Sequence, residues 1–569
     1  MDCISEGNMK AGKRIIIIGG VAGGASCATR ARRLSEEAEI LLIEKGPYVS
    51  FANCGLPYYV GNVIKREEAL LVATPELFKK RFKIDVRVRS EVEAIDRKNC
   101  EVEIVEAETG RRYREKYDAL VLSPGASPIK PPVPGVDLPG IFTVRNIPDI
   151  REVKGWIKNY AVGRAMVVGG GFIGLEMTEN LAGLGIEVSI AEMQQQVMPL
   201  MDAEMIGPVH DELGRHGVTL RLGDAVSGFD RLPDGSISIR MLSGAKEMAD
   251  LVILAVGVRP ETKLARESGL DIGEFGGIRV NEQMLTNDPK IWAVGDAVEV
   301  QDFVTGRWAL MPLAGPANRQ GRIAADVIFG RDRTFRGGQG TMVCGVFGLR
   351  LASTGPSEKA LNRAGLWEKC EKVYLHPLNH ATYFPGAKQM SLKLIFSKSD
   401  GRVVSAQAVG QDGVEKRIDV ISMAIQKNAT VFDLEEAELS YAPQFGAARD
   451  PVNMAGMIAA NVIRGDARVA HWEELGNSDA FILDVRDSSE FRKGHVGNAV
   501  NVPLNDLRAR MEELPKEREI WTYCQVGQRS YYASRVLSQH RFAVKNLSGG
   551  YKTHQLRNRA TGLKKTNDE

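Results

Sequence analysis

Apolar positions in this chain gather in short unbroken runs rather than alternating with polar ones. Ile15–Ile18, Ile40–Ile43, Ala165–Val168 and Val188–Ala191 are apolar at almost every position. A strand with one wet face alternates with period two, so these runs predict strands buried on both faces, as in a parallel sheet. The first and third lead directly into glycine clusters, and a helix is predicted from Ala25 to about Leu34. Strand, glycine turn, helix and strand therefore occur twice in succession, which predicts an α/β chain with two βαβ units. Apolar stretches such as Ile15–Ile18 are far too short to span a bilayer, and no membrane association is expected.

The turns indicate what these units hold. Gly19-Gly20-Val21-Ala22-Gly23-Gly24 precedes a strand that ends at Glu44, followed by Lys45. Gly169-Gly170-Gly171-Phe172-Ile173-Gly174 precedes a strand that ends at Glu192. In a dinucleotide βαβ the N–H groups of the turn and of the helix N-terminus face a pyrophosphate, and the acid accepts from a ribose hydroxyl. The second turn meets GxGxxG in full; the first has Val21 where the middle glycine belongs. Glu192 would repel a 2′-phosphate, and Met193 with three glutamines follows it, so NADH is expected over NADPH. Two complete units predict two nucleotides, a hydride donor and its acceptor.

Composition narrows the class. A chain of 569 residues suffices for about three or four domains, and its 44% hydrophobic and 26% charged content is that of a soluble globular protein. A net charge of +2 predicts no nucleic-acid partner. The first dozen residues lack the apolar core of a secretion signal. Seven cysteines without a CxxC pair fit a reducing, cytoplasmic setting. His376 and His380 are separated by Pro377, so they share no helical face, and no metal site is expected.

A third signal is Ile291-Trp292-Ala293-Val294-Gly295-Asp296-Ala297, an apolar run ending in Gly-Asp. With Ser123-Pro124-Gly125-Ala126 and Ala255-Val256-Gly257-Val258-Arg259-Pro260, it makes residues 13 to 465 resemble the two-dinucleotide flavoprotein disulfide reductases. The resemblance implies FAD on the first unit, with Asp296 on the flavin ribityl chain, and NADH on the second. It further implies a homodimer built through an α+β dimerisation domain.

Cys54, in Ser50-Phe51-Ala52-Asn53-Cys54-Gly55-Leu56-Pro57-Tyr58, sets the chemistry apart. The family usually places two cysteines here with four residues between them, but Val49 and Tyr59 occupy the partner positions. A lone sulfur must pair with a substrate thiol or with oxygen. Only the thiolate reacts, and a nearby helix N-terminus and the flavin are expected to lower its pKa. Cys3, Cys27, Cys100, Cys344 and Cys370 read as bystanders.

Single-cysteine members of the family divide between NADH oxidases or peroxidases, which cycle through sulfenic acid, and coenzyme A disulfide reductases, which form a mixed disulfide with CoA. The peroxidases carry a histidine where this chain has Ala22. The Val21–Gly24 loop, Asn53 and Gly55–Tyr58 are similar to the CoA enzymes. So are Tyr383, in Ala381-Thr382-Tyr383-Phe384-Pro385-Gly386, and Tyr441, in Tyr441-Ala442-Pro443-Gln444-Phe445-Gly446. The resemblance implies that these two hydroxyls reach the substrate sulfur from the partner subunit. Ser26, Arg30 and Arg33 fall at i, i+4 and i+7 on one helix face, which cannot be the face packed on the sheet. By resemblance they line a CoA tunnel with Ser50, Phe51, Asn53, Asn318 and Arg449.

Past Gly465-Asp466 a new unit begins near Val469. Phe481–Asp487, Glu490-Phe491 and Gly494–Ala499 are followed by the apolar run Ile520–Tyr523 and by Cys524-Gln525-Val526-Gly527-Gln528-Arg529-Ser530. This stretch resembles a rhodanese domain, whose cysteine loop aims successive N–H groups at one point. That nest, with Arg529, is expected to lower the Cys524 pKa and stabilise a persulfide.

The fold class expected is α/β: two Rossmann-like domains for FAD and NAD, an α+β dimerisation domain and a C-terminal α/β rhodanese domain. The expected bounds are 13–149 and 256–335 for the FAD-binding domain, 150–255 for NAD(P)H, 336–465 for dimerisation and 469–565 for rhodanese. The implied activity is NADH-driven reduction of CoA disulfide, CoA persulfide or polysulfide, with CoA as substrate or tightly held thiol. An NADH oxidase or peroxidase, a sulfurtransferase on a flavoprotein scaffold and a redox-sensing interaction protein remain open at this level.

Overall fold

A computed structural model describes residues 12–560. Residues 1–11, including Cys3, and the last five residues of the expected rhodanese span lie outside the described residues. The chain forms two compact units, one of residues up to 189 with 225–338, the other of 190–224 with residues from 339 onward.

In the first unit, five parallel strands form a sheet in the order Ile291–Ala293, Ala119–Leu122, Arg14–Ile18, Glu39–Ile43, Asp85–Arg87. Ile15, Ile16, Ile17, Leu120 and Val121 are all fully buried, as unbroken apolar runs require. The helix Ala22–Leu34 begins three residues earlier than its apolar period predicts. The reason is close approach: a Cβ on Gly24 would lie 1.9 Å from the Gly19 carbonyl oxygen, so glycine alone lets the first helical turn sit on the strand end. The helix Ala314–Ile328 packs on the outer side of this helix, and a Cβ on Gly321 would lie 2.1 Å from the Gly23 carbonyl oxygen.

The strand Arg164–Val168 pairs in parallel with Leu251–Leu254, which pairs with Ile141–Thr143. The helix Phe172–Ala182 follows the second glycine turn with the same close fit, since a Cβ on Gly174 would lie 2.0 Å from Gly169 O. The segments expected to pass between the nucleotide domains pair with each other, Val258 opposite Pro128 and Pro260 opposite Ala126. The run at Ile291 ends as a strand at Ala293, because Gly295 has a φ of +84° and starts the turn Gly295–Ala297.

The second unit holds an antiparallel sheet in the order Met342–Val346, Leu349–Thr354, Val403–Gly410, Ser391–Ser397, Cys370–Leu375. It also holds a parallel sheet in the order Val469–Ala470, Val544–Leu547, Ile520–Tyr523, Phe481–Asp484, Val500–Asn501. Fully buried Lys393 sits in the antiparallel sheet. Its Nζ donates to Asp202 and Glu204, each at 2.7 Å, and to Glu358. This triad of acids has the spacing of a cation site, and the lysine ammonium fills it. Neighbouring Lys372 pairs with Glu358 at 2.9 Å and with Glu473, which joins the antiparallel sheet to the C-terminal α/β domain. Among the described residues no helix is long and apolar enough to cross a membrane.

Candidate active site

The first glycine turn is built as a cradle. Gly19 adopts φ +93°, and a Cβ there would lie 2.0 Å from Ser123 O. Gly20 N–H donates to Glu44 Oε2 at 2.9 Å, and Gly46 N–H donates to Glu44 Oε1 at 2.8 Å, so the acid closes the base of the turn. Lys45 is exposed beside it. The helix Ala22–Leu34 has no side-chain cap at its N-terminus, which leaves its first-turn N–H groups for an anion. Gly23 faces Ser123 Oγ and Val294, and no side chain fits there. Pro124 and Gly125 continue that wall, and a Cβ on Gly125 would meet the Arg145 guanidinium. At the sheet edge Gly295 N–H donates to buried Gln320 Oε1 at 2.8 Å. Burial pushes the Asp296 carboxyl up, and Arg145 opposes the shift. An uncapped helix end, glycines that admit no Cβ and a waiting carboxylate fit FAD.

The second turn repeats the design. The helix Phe172–Ala182 starts at Gly171 without a side-chain cap, with Ile173 in its first turn. A Cβ on Gly171 would meet nothing within 4 Å, so that face of the turn is open. Gly169 has φ +107° and Gly257 φ +110°. Glu192 closes the strand Glu187–Glu192, and its Oε1 accepts from Gln194 N–H at 2.8 Å. An open, uncapped turn fits the pyrophosphate of NADH.

Cys54 is exposed in the turn Asn53–Gly55, just ahead of the short helix Leu56–Val60. Ser50 holds this segment against the first glycine turn: its N–H donates to Gly20 O at 2.8 Å, and it takes φ +48°. Phe51 bridges to Leu71, and Asn53 Nδ2 donates to Arg145 O at 3.3 Å. The protein's own groups do not lower the Cys54 pKa, contrary to expectation. Desolvation, then the carboxylates of Glu176 and Asp296, push it up, and its backbone hydrogen bond pulls the other way.

Glu176 is a residue that the glycine pattern did not single out. It lies in the first turns of the second glycine helix, and Tyr58 O–H donates to it. Burial, with Glu179 adding to it, brings its carboxyl up to about 7 against the pull of Tyr58. Removing its charge with Glu176→Gln is expected to move the pH midpoint for alkylation of Cys54 by iodoacetamide downward. An unchanged or higher midpoint would contradict this coupling.

Of the residues expected to line a CoA tunnel, Ser26 and Asn318 meet directly, Ser26 Oγ donating to Asn318 Oδ1. Arg30 differs from a solvated cation. Its Nε and Nη2 donate to Asp326 at 2.8 and 2.6 Å in a largely buried ion pair, because the helix Ala314–Ile328 covers that face. Arg33 is exposed. Cys27 is fully buried, and burial pushes its pKa to about 12, which fits an inert role. None of the six described cysteines forms a disulfide.

In the second unit Tyr383 and Tyr441 face each other, hydroxyl to hydroxyl, at 2.5 Å. They are 74% and 47% exposed, and Phe384, Phe445 and Arg449 are exposed around them.

Cys524 ends the strand Ile520–Tyr523 and opens a loop onto the helix Gln528–Gln539. Its Sγ accepts from Gly527 N–H at 3.2 Å and from Ser530 Oγ at 3.4 Å. Gly527 takes φ +94°, which turns its N–H toward the sulfur. The nest is present, and the Arg529 guanidinium, which also interacts electrostatically with Cys524, forms two hydrogen bonds to Glu490, at 2.6 and 2.7 Å. Buried Arg486, within the Phe481–Asp487 run, pairs with Asp484, stacks on Tyr551 and reaches this loop by donating to Gln525 Oε1 at 3.4 Å.

Residues 13–321 match the pyridine nucleotide-disulphide oxidoreductase family, 342–450 its dimerisation domain and 469–555 the rhodanese-like domain. The chain belongs to the pyridine nucleotide-disulphide oxidoreductases, with a rhodanese-like domain at its C-terminus. Among curated relatives, coenzyme A disulfide reductase of Staphylococcus haemolyticus is 36% identical over 446 residues, covering 78% of this chain and 98% of that protein. Among solved structures, reduced CoADR-RHD of Bacillus anthracis is 45% identical with a TM-score of 0.94, covering 98% of this chain and 99% of that one. A NAD-dependent persulfide reductase from A. fulgidus is 37% identical with a TM-score of 0.87, covering 95% and 99%.

Proposed function

We propose that this protein is an FAD-dependent enzyme that uses NADH to reduce CoA disulfide or CoA persulfide. The observation that carries this reading is an exposed, unpaired Cys54 anchored to the first nucleotide turn. The relatives named for CoA disulfide and persulfide reduction support it. The Cys54 thiolate attacks the disulfide of CoA, forming a Cys54–CoA mixed disulfide and releasing CoA thiolate; from CoA persulfide it releases hydrosulfide. FAD held at the first glycine turn would pass on the two electrons of NADH, which split the mixed disulfide into two thiolates with one proton released. Tyr383 and Tyr441 donate hydrogen bonds to the departing sulfur, and their exposure in a single chain supports a homodimer in which each subunit completes the other's site.

Ser26, Arg33, Ser50, Phe51, Asn53, Asn318 and Arg449 bind CoA, with Arg30 fixing the helix face. Glu192 favours NADH over NADPH. Cys524 takes sulfane sulfur as a persulfide and offers it to CoA, held by Gly527 N–H and Ser530 while Arg529 and Glu490 shape the loop mouth. The domains follow the bounds 13–149 with 256–335, 150–255, 336–465 and 469–565. Six cysteines without a disulfide among the described residues support a reducing, cytoplasmic setting. In aerated buffer NADH oxidation is expected to stay slow until CoA disulfide is added, then to rise in proportion to it. Rapid oxidation by oxygen alone would favour an oxidase.

A further inference from the structure

Tyr383 and Tyr441 lie on irregular loops, exposed, and fifty-eight residues apart in the chain. One hydrogen bond between exposed hydroxyls is worth about 1 kcal/mol, too little to order two loops. Something else must hold them, and the buried side of the loops supplies it. Arg417, on the helix Val414–Gln426, is 1% exposed and uses its whole guanidinium fork. Nη2 donates to Asn379 O at 2.8 Å, at the start of the Tyr383 loop. Nε and Nη2 donate to the two Asp450 carboxylate oxygens at 3.2 and 2.7 Å, at the end of the Tyr441 loop. Nη1 donates to Gly413 O at 3.1 Å, where glycine is needed because a Cβ would lie 2.2 Å from that nitrogen. Asp450 in turn caps the helix Pro451–Ile463 by accepting from Val452 N–H at 3.0 Å. Ala381 N–H donates to Gly446 O at 2.9 Å, tying the loops together directly between the tyrosines and the clamp.

We infer that Arg417 is a positioning residue, clamping the two loops so that the Tyr383 and Tyr441 hydroxyls stand together for the departing sulfur. This inference rests on the role proposed above for the tyrosines. A planar fork is required, because a single ammonium cannot hold a carboxylate and a carbonyl in one plane. Asp450 is the matching half of the clamp, and breaking either side frees one loop.

The test uses the flavin-loaded enzyme and three changes: Arg417→Lys, Asp450→Asn and the pair Tyr383→Phe with Tyr441→Phe. Two rates are read, turnover with CoA disulfide and NADH reduction of the flavin without disulfide, which does not involve the tyrosines. Arg417→Lys is expected to lower turnover about tenfold while leaving flavin reduction unchanged. Built on the double phenylalanine background, it is expected to cost less than about twofold more, since both act through the same hydroxyls. Asp450→Asn keeps an oxygen for the helix cap and is expected to behave alike, which preserves the test if Arg417→Lys fails to fold. Equal losses in both backgrounds, or slowed flavin reduction, would mean that the clamp serves stability alone and would overturn the inference. Full turnover by the double phenylalanine enzyme would remove the tyrosine role and this inference together.

Discussion

Cys54→Ser is expected to lower NADH-driven reduction of CoA disulfide and CoA persulfide by about a thousandfold or more. A serine hydroxyl is not ionised near neutral pH and forms no bond equivalent to the mixed disulfide. The same variant is expected to accept electrons from NADH normally, because the glycine turns, Glu44 and Asp296 that fit the nucleotides do not depend on the sulfur. Stopped-flow absorbance separates the two: flavin bleaching by NADH persists, and reoxidation by CoA disulfide disappears. If the variant kept full persulfide turnover, the chemistry would belong to Cys524, and the flavoprotein part would serve as scaffold.

The second large effect concerns stability. Lys393→Met is expected to destabilise the second unit by about 3–5 kcal/mol, because it leaves Asp202, Glu204 and Glu358 facing each other without their shared cation. Differential scanning calorimetry would show a lowered transition for this unit, and adding Asp202→Asn and Glu358→Gln is expected to restore part of the loss. An unchanged transition would mean that the acids are neutral in the folded protein. The Glu204 part of the pH dependence has a definite sign, opposite to that of Asp202, whose carboxyl burial pushes up. Burial alone would raise the Glu204 carboxyl, but Lys393 brings it from 4.5 down to about 2. A depressed acid contributes stability above its unfolded pKa and loses it as pH falls through the folded one. The contribution is therefore complete above about pH 4.5 and fades toward about 2.

Local signals account for what the sequence revealed. Spacing exposes the glycine turns, whereas the Gly295-Asp296 turn and the Cys54 and Cys524 segments are short enough to be found by resemblance to their families. Groups assembled by tertiary contact left no such trace. Lys393, in Ser391-Leu392-Lys393-Leu394, reads as the polar half of an alternating strand, yet Ser391–Ser397 is buried throughout and the lysine meets acids from two distant segments. Arg417 likewise looks like a solvent-facing helical cation until Asp450 is brought against it. Arg30 and Arg529 were legible as cations near their sites, but the buried carboxylate of Asp326 and that of Glu490 could not be read from their own helices. Glu176 had the best chance of being found. It follows the second glycine motif directly, and an acid two residues past its last glycine faces the other nucleotide unit's cysteine segment only once the sheets are in place.

The central claim is that Cys54 carries CoA as a mixed disulfide, and mass spectrometry of the intact, non-reduced protein with peptides mapped around Cys54 tests it most directly. The predicted result is an adduct of CoA mass on Cys54 that disappears on treatment with NADH. A Cys54 found only as sulfenic acid or a higher oxide would contradict the claim and point to oxygen or peroxide as the natural oxidant.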